Sequence, residues 1–263
     1  MNLKKAKKVA EDAVFKAGSF ILANQDKVKV KAYKDRQDIV TNIDLQAEKI
    51  IIDILVKSFP DHNIISEEKG EIKHNSQYTW YIDPLDGTKE YLRRLPVFNV
   101  NISLETVKET LLGVVYAPRF NELFTAVKNT GAFENKQPIN VSTQKQLKNA
   151  FIYTHLPSYK RPKTGTKKVW DQLVKIANAS YRLRSFQADM ISLCWVAKGA
   201  VDAYIFLLEQ EKWWDVAAGL LMVQEAGGKV TDLQGQPIKN CDLSQGILAS
   251  NGKIHKALLE ILN

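Results

Sequence analysis

The segment Trp80-Tyr81-Ile82-Asp83-Pro84-Leu85-Asp86-Gly87-Thr88-Lys89-Glu90 permits few backbone paths. An apolar run reads as a strand up to Asp83, and Pro84 then fixes φ for a turn. Gly87 allows close backbone approach, and Thr88 is suited to cap a helix beginning at Lys89. The chain must therefore leave a strand, turn tightly and pass straight into a helix. Asp83 and Asp86 can converge on one point at that turn, where the helix N-terminus offers N–H groups to an anion. Carboxylates and an anion repel each other unless positive charge lies between them. A hard divalent cation such as Mg²⁺ supplies it, because it prefers carboxylate, phosphate and water oxygens. The same residues also suit a turn whose Asp and Thr side chains serve only nearby N–H groups.

Other acidic positions bear on that choice. Glu67-Glu68 follows the apolar strand Asn63–Ser66, and Asp215 follows Trp213-Trp214 at the start of a helix with an apolar face through Ala218, Leu221 and Met222. An Asp at a helix start also serves as an ordinary N-cap.

Periodicity supplies the frame. Residues 3 to about 23 carry Val9, Ala13, Ala17, Phe20 and Ile21 at amphipathic-helix spacing. Lysines at 27, 29, 31 and 34 read as an exposed connection, and a second helix is expected over about 43 to 58, before Pro60. Strands are expected at 63–66 and 78–83. Between Val97 and Val127, the alternation of Phe98, Val100, Ile102 and Leu104, then the runs 111–116 and 123–127, predict antiparallel strands. The basic segment Ser158 to Lys168 reads as a loop. Beyond it, helical patterns near 168–178, 188–199, 213–226 and 252–262 alternate with strand-like runs near 201–206, 228–232 and 246–250. This order predicts an α+β half followed by an α/β half.

Composition narrows the function classes. The 263 residues are 45% hydrophobic and 25% charged, which excludes a disordered or fibrous chain. Asp53, Asp202 and Glu209 interrupt the richest apolar runs, and Glu11 and Asp12 fall where a signal peptide needs apolar residues, so a cytoplasmic chain without membrane contact is expected. Cys194 and Cys241 form no CxxC pair, which argues against a cysteine zinc site. His62, His74, His155 and His255 have no ligand-like spacing and read as surface or structural residues. The formal charge of +8 invites an anionic partner, but the lysines are dispersed and no RNA-binding signature accompanies them, so no nucleic-acid partner is expected.

Taken together, Asp38-Ile39-Val40-Thr41-Asn42-Ile43-Asp44, Ser66-Glu67-Glu68, Asp83 to Thr88, and Trp214-Asp215-Val216-Ala217-Ala218-Gly219 with Glu225-Ala226-Gly227-Gly228 resemble, in order, the signature motifs of the inositol monophosphatase superfamily. The resemblance implies an α+β fold, a layered αβαβα sandwich. It divides into an N-terminal half over 1–146 and a C-terminal half over 147–263, packed as one unit with the carboxylates where the halves meet. It implies an Mg²⁺-dependent phosphomonoesterase with two or three ions, lithium sensitivity, a small phosphate-ester substrate and homodimeric assembly. Glu67, Asp83, Asp86 and Asp215, with the Leu85 carbonyl, match the family's metal ligands. Gly87 and Thr88 match its phosphate-binding positions, and Asp44 and Thr88 match the pair that positions the attacking water, whose proton Glu67 can accept.

The substrate is less sharply marked. Asp86 to Tyr91 and Gly113 to Pro118 look like the 3'(2'),5'-bisphosphate nucleotidase branch, whereas Arg94 to Phe98 and Ala203-Tyr204 resemble the inositol monophosphatases. In the specificity region Gln187, Ala188 and Asp189 depart from both, and Ile191 and Phe206 stand where a nucleotidase lysine and an inositol-binding glutamate are expected. Asp189, which also resembles a histidinol-phosphate phosphatase position, and Glu209 are the candidate substrate contacts. The expected order is inositol monophosphate or a related sugar phosphate, then 3'-phosphoadenosine 5'-phosphate, then histidinol phosphate. A basic RNA-binding protein and a non-catalytic scaffold are the readings from other classes.

Overall fold

The computed structural model describes the chain apart from residues 36–37, 158–162, 187–188, 208–211 and 240. Helices α1 (Leu3–Ala23) and α2 (Asn42–Ser58) form the first layer. On its inner face α1 carries Ala6, Ala10, Ala13, Val14, Ala17 and Ile21, mostly small residues that let it lie close to the sheet. A Cβ on Gly18 would come within 2.5 Å of the Tyr116 ring. Between α1 and α2 the lysine-rich segment is a hairpin, β1 (Val30–Asp35) with β2 (Asp38–Thr41), and not the open connection expected from its charge.

The second layer is an eight-stranded sheet. Its strands are β3 (Asn63–Ser66), β4 (Gly70–Ile72), β5 (Thr79–Asp86), β6 (Asn99–Glu105), β7 (Thr110–Ala117), β8 (Glu122–Val127), β9 (Gly131–Glu134) and β10 (Gln137–Ile139). They lie in the order β10-β9-β8-β7-β6-β5-β3-β4, antiparallel except for the β3–β5 pair. A second sheet comprises β11 (Phe151–Thr154), β12 (Arg182–Arg184), β13 (Ala203–Phe206), β14 (Lys229–Thr231) and β15 (Ile247–Ser250), ordered β12-β11-β13-β15-β14. A short helix, α3 (Thr88–Leu92), follows β5. Helix α4 (Lys163–Ala179) begins inside the basic segment expected to be a loop. Lys167, Lys168 and Lys175 lie on the polar side of an amphipathic helix whose Val169, Leu173 and Ile176 are buried.

Helices α5 (Asp189–Ala197) and α6 (Ala217–Glu225) lie between the sheets, and α4 packs with α7 (His255–Leu262) outside the second one. The chain is thus the αβαβα sandwich expected from its motifs. One apolar cluster joins Val115 and Phe124 of the first sheet to α5, α6 and the second sheet, so the halves share a core. Among the described residues no helix is long and apolar enough to cross a membrane.

Candidate active site

The site is built from segment ends. At the end of β5, Asp83 Oδ1 accepts the Leu85 N–H at 3.0 Å and holds the turn, and the register shifts between Asp83, opposite Asn101, and Asp86, opposite Asn99. Gly87 sits at φ +87°, and a Cβ there would come within 2.7 Å of the Val97 carbonyl, so the turn needs glycine. Helix α3 starts at Thr88 with Gly87 as its cap; Thr88 is not the cap of a helix from Lys89. Its hydroxyl lies 2.8 Å from Asp44 Oδ1 and 2.9 Å from the Leu85 carbonyl.

Asp44 reaches Thr88 through a local helix device. Thr41 caps α2, and Asp44, three residues on, accepts the Thr41 N–H on Oδ2 at 3.0 Å in a capping box. The cap consumes Oδ2 and leaves Oδ1 for Thr88. Asp44 is fully buried, and burial raises its pKa against the hydrogen bonds from Thr41 and Thr88.

Parallel pairing of β3 with β5 brings Glu67 beside this turn, its N–H donating to the Ile82 carbonyl at 3.2 Å. The loop after it is held by Glu48 of α2, whose Oε1 accepts the N–H groups of Glu68 and Lys69 at 3.0 Å each. Asp215 ends a 3₁₀ turn, Trp213–Asp215, just ahead of α6. It does not cap α6, whose N-cap is Val216; its Oδ2 accepts the Lys212 N–H at 3.0 Å within the turn.

Glu67, Asp83, Leu85, Asp86, Gly87, Thr88, Asp189 and Asp215 all line one cleft of about 150 Å³, with Lys89, Glu90 and His155. Asp44 lies buried behind Thr88, and Glu209 lies outside the described residues. A larger groove of about 620 Å³ between the β6–β7 hairpin and α6 contains Trp213 but none of the expected site residues.

The acidic wall carries unmet charge. Burial, reinforced by Glu67, Asp86 and Asp215, pushes Asp83 well above the usual carboxylate range. Asp86 is raised by burial and by Asp189 and Asp215, against a hydrogen bond from Asn99. Glu67 is pushed up to about 8 by burial, with Lys34 opposing and Asp215 and Glu68 adding. Lys34 of β1 lies 3.2 Å from Glu67 and 2.9 Å from Glu68. As arranged, no three His, Cys, Asp or Glu side chains among the described residues converge closely enough to hold an ion. The donor set is nevertheless all oxygen, and its mutual repulsion is what a hard cation relieves.

The inositol monophosphatase family model matches residues 2–263. The chain belongs to the inositol monophosphatase family. It is 35% identical to the fructose-1,6-bisphosphatase/inositol-1-monophosphatase of Aquifex aeolicus, over 99% of this chain and 96% of that one. It is 38% identical to Nus factor SuhB of Escherichia coli K12, over 95% and 93%. The crystal structure of extragenic suppressor protein suhB from Bartonella henselae superposes with a TM-score of 0.90 at 34% identity, covering 97% of each chain. Family and fold together make this chain a phosphomonoester hydrolase.

One position corrects the histidine reading, and one adds to the lysine reading. His155, taken from sequence as surface or structural, lines the cleft, and its Nδ1 lies 2.8 Å from Asp189 Oδ2. Burial lowers its proton affinity, but Asp189 outweighs burial and the pKa is raised. Lys34 is exposed, as its lysine-rich run predicts, and the pairing of β1 with β2 sets its Nζ beside Glu67. Asp189 is the first residue of α5, buried, and turned to His155. Ile191 and Phe206 are buried in the core.

Proposed function

We propose that this hydrolase is Mg²⁺-dependent and acts on inositol monophosphate or a related sugar phosphate. The observation that carries the reading is the meeting in one cleft of Glu67, Asp83, Asp86 and Asp215 with the Asp44–Thr88 hydrogen bond. The four carboxylates and the Leu85 carbonyl would hold two or three ions. Bound Mg²⁺ supplies a Lewis acid that offsets the carboxylate and phosphoryl charge and acidifies water.

The protein groups do the rest. Thr88 has one hydroxyl proton. Given to Asp44, it leaves the Leu85 carbonyl free as a ligand and turns an Oγ1 lone pair toward a water hydrogen. The water is thereby aimed at phosphorus, with the N–H groups of Gly87 and Thr88 on the phosphoryl oxygens. The water oxygen–phosphorus bond forms as the ester oxygen–phosphorus bond breaks; Glu67 accepts the water's proton and the leaving oxygen takes one from solvent. Asp189, with His155, faces the leaving group.

The sugar-phosphate preference is supported by the name of the Aquifex relative. Nucleotidase-like residues in Asp86 to Tyr91 keep 3'-phosphoadenosine 5'-phosphate as the second substrate. Lithium inhibition, a homodimer and a cytoplasmic setting follow from the family resemblance as further expectations. A division near Gln146 is supported by the sheets, which use residues 63–139 and 151–250. Phosphate release from inositol 1-phosphate, fructose 1,6-bisphosphate, 3'-phosphoadenosine 5'-phosphate and histidinol phosphate, with and without Mg²⁺ and Li⁺, tests the proposal. Turnover of a sugar phosphate that requires Mg²⁺ is expected. No Mg²⁺-dependent release, beside RNA binding with a steep salt dependence, would overturn it.

A further inference from the structure

Strand β6 is polar on a face that meets no water. Val100, Ile102 and Leu104 pack into the core shared with α1 and α2. The alternate residues Asn99, Asn101, Ser103 and Glu105 are 0%, 1%, 2% and 5% exposed. Asn and Glu are depleted from strands, and a buried polar group left without a partner costs about 1–3 kcal/mol. Four in alternation therefore need a reason.

The register supplies one. Antiparallel pairing sets Asn101 opposite Asp83 and Asn99 opposite Asp86. Asn99 Nδ2 donates to Asp86 Oδ2 at 2.7 Å, and Asn101 Nδ2 approaches Asp83 Oδ2 at 3.5 Å. Asn99 Oδ1 is buried with no hydrogen-bond partner, a cost that a leucine of similar volume would avoid. Further along the same face, Glu105 Oε1 accepts from the Trp213 indole N–H at 2.6 Å, from Ser103 Oγ at 3.1 Å and from Thr110 Oγ1 at 3.2 Å. Trp213 opens the turn that ends at Asp215, and that turn closes on itself through Asp215 N–H to the Lys212 carbonyl at 3.0 Å. Hydrogen bonds within the turn link Asp215 to Lys212 on the backbone and through its carboxylate, so a contact that anchors Trp213 also restrains Asp215.

We propose that the buried polar face of β6 is a positioning element for three carboxylates of the cleft: Asn99 orients Asp86, Asn101 orients Asp83, and Glu105, through Trp213, sets Asp215. The inference rests on those three being the cation-binding carboxylates proposed above. Each amide lies against one carboxylate oxygen and limits rotation of the group, closely for Asp86 and more loosely for Asp83, whose other oxygen is held by the Leu85 N–H. The Glu105–Trp213 bond ties the segment ahead of α6 to the sheet that carries the other two. None of the four touches substrate; they are positioning residues.

The full chain is tested as Asn99→Leu, Asn101→Leu, Trp213→Phe, Glu105→Leu and Glu105→Gln. Half-saturating Mg²⁺ is read in two ways: as the rise in Tm on Mg²⁺ addition, and as activation of phosphate release from inositol 1-phosphate. We expect half-saturating Mg²⁺ to rise about tenfold or more in the first four variants, with kcat at saturating Mg²⁺ changed much less. Glu105→Gln keeps an acceptor for the indole and is expected to restore the wild-type requirement lost in Glu105→Leu. Glu105→Gln preserves volume and Trp213→Phe keeps an aromatic ring while deleting the indole N–H, and both carry the test should an Asn→Leu variant not fold. Variants with altered Tm but unchanged half-saturating Mg²⁺ would show that the face is only structural and overturn the inference. A wild type whose Tm and activity ignore Mg²⁺ would overturn the site reading and this inference with it.

Discussion

Asp86 and Thr88 stand two positions apart in the turn and differ in role. Asp86→Asn removes a charge from the cleft while preserving volume and the oxygen that Asn99 contacts. It is expected to lower Mg²⁺-dependent kcat/KM by at least about a hundredfold with an unchanged circular dichroism spectrum; full activity would refute the assignment of the cleft. Thr88→Val deletes only the hydroxyl between Asp44 and the Leu85 carbonyl. Its expected signature differs: kcat falls by roughly a hundredfold while KM barely moves, because the lost contact orients the water and not the substrate. Steady-state kinetics at saturating Mg²⁺ separates the two. Both residues could be singled out from sequence because the Asp-Pro-Leu-Asp-Gly-Thr run carries the family resemblance; its local geometry alone also suits an ordinary turn. Lys34 and His155 could not, because Lys34 reaches Glu67 from the β1–β2 pair and His155 enters the cleft from the second sheet.

Between elements, the decisive contact is the close approach of α6 to β7. A Cβ on Gly113 would lie 2.8 Å from the Ala218 carbonyl oxygen and 2.9 Å from its Cα, which are backbone atoms with little room to give. Gly219 makes the matching approach to α5, where a Cβ would meet Leu193 Cβ at 2.6 Å. Gly113→Ala must push α6 away from the sheet, at a cost of about 1–3 kcal/mol. A Tm lower by several degrees is expected in thermal denaturation. Because α6 follows the Asp215 turn directly, half-saturating Mg²⁺ should rise in the same variant; an unchanged Tm would mean the helix absorbs a methyl group freely. At this scale the apolar half of β6 was legible as Phe98, Val100, Ile102 and Leu104. Its polar half, Asn99 to Glu105, has the same alternation and would ordinarily be placed in solvent. Burial beneath α5 and α6 reverses that expectation, and neither helix is local to the strand.

For the whole molecule, the acidic cleft and the buried His255 give opposite pH dependences. His255, within 2.8 Å of Ser250 Oγ and 3.0 Å of Thr231 Oγ1, is lowered to about 4 by burial, with Lys229 adding. The unfolded chain then binds the extra proton between pH ~4 and ~6.5, so this contribution is complete above ~6.5 and is lost as pH falls. Glu67, raised to about 8, and Asp83 and Asp86, raised well above the usual carboxylate range, bind protons more tightly when folded. Their contribution is lost as pH rises toward their folded pKa values. Between pH ~6.5 and ~8 His255 is neutral in both states, and the carboxylates, with His155 raised in the same direction, decide the sign. The Tm of the metal-free protein should fall across that interval, and Mg²⁺ should recover more of it at the alkaline end. A Tm that rises with pH in the absence of metal would contradict the described electrostatics of the cleft.

The sequence by itself determined the family, the layered fold class and the segment ends that bear Asp44, Glu67, Asp83, Asp86, Thr88 and Asp215. Each of these sits at a strand end, a turn or a helix start whose conformation is dictated by its neighbours within a few residues. Tertiary structure alone decided that α4 begins within the basic segment, that Lys34 meets Glu67, that His155 faces Asp189, and that a row of polar side chains on β6 is buried under the carboxylates. Those facts depend on which layers lie over a face, and one strand's alternation of polar and apolar residues separates its two faces without saying which of them meets water.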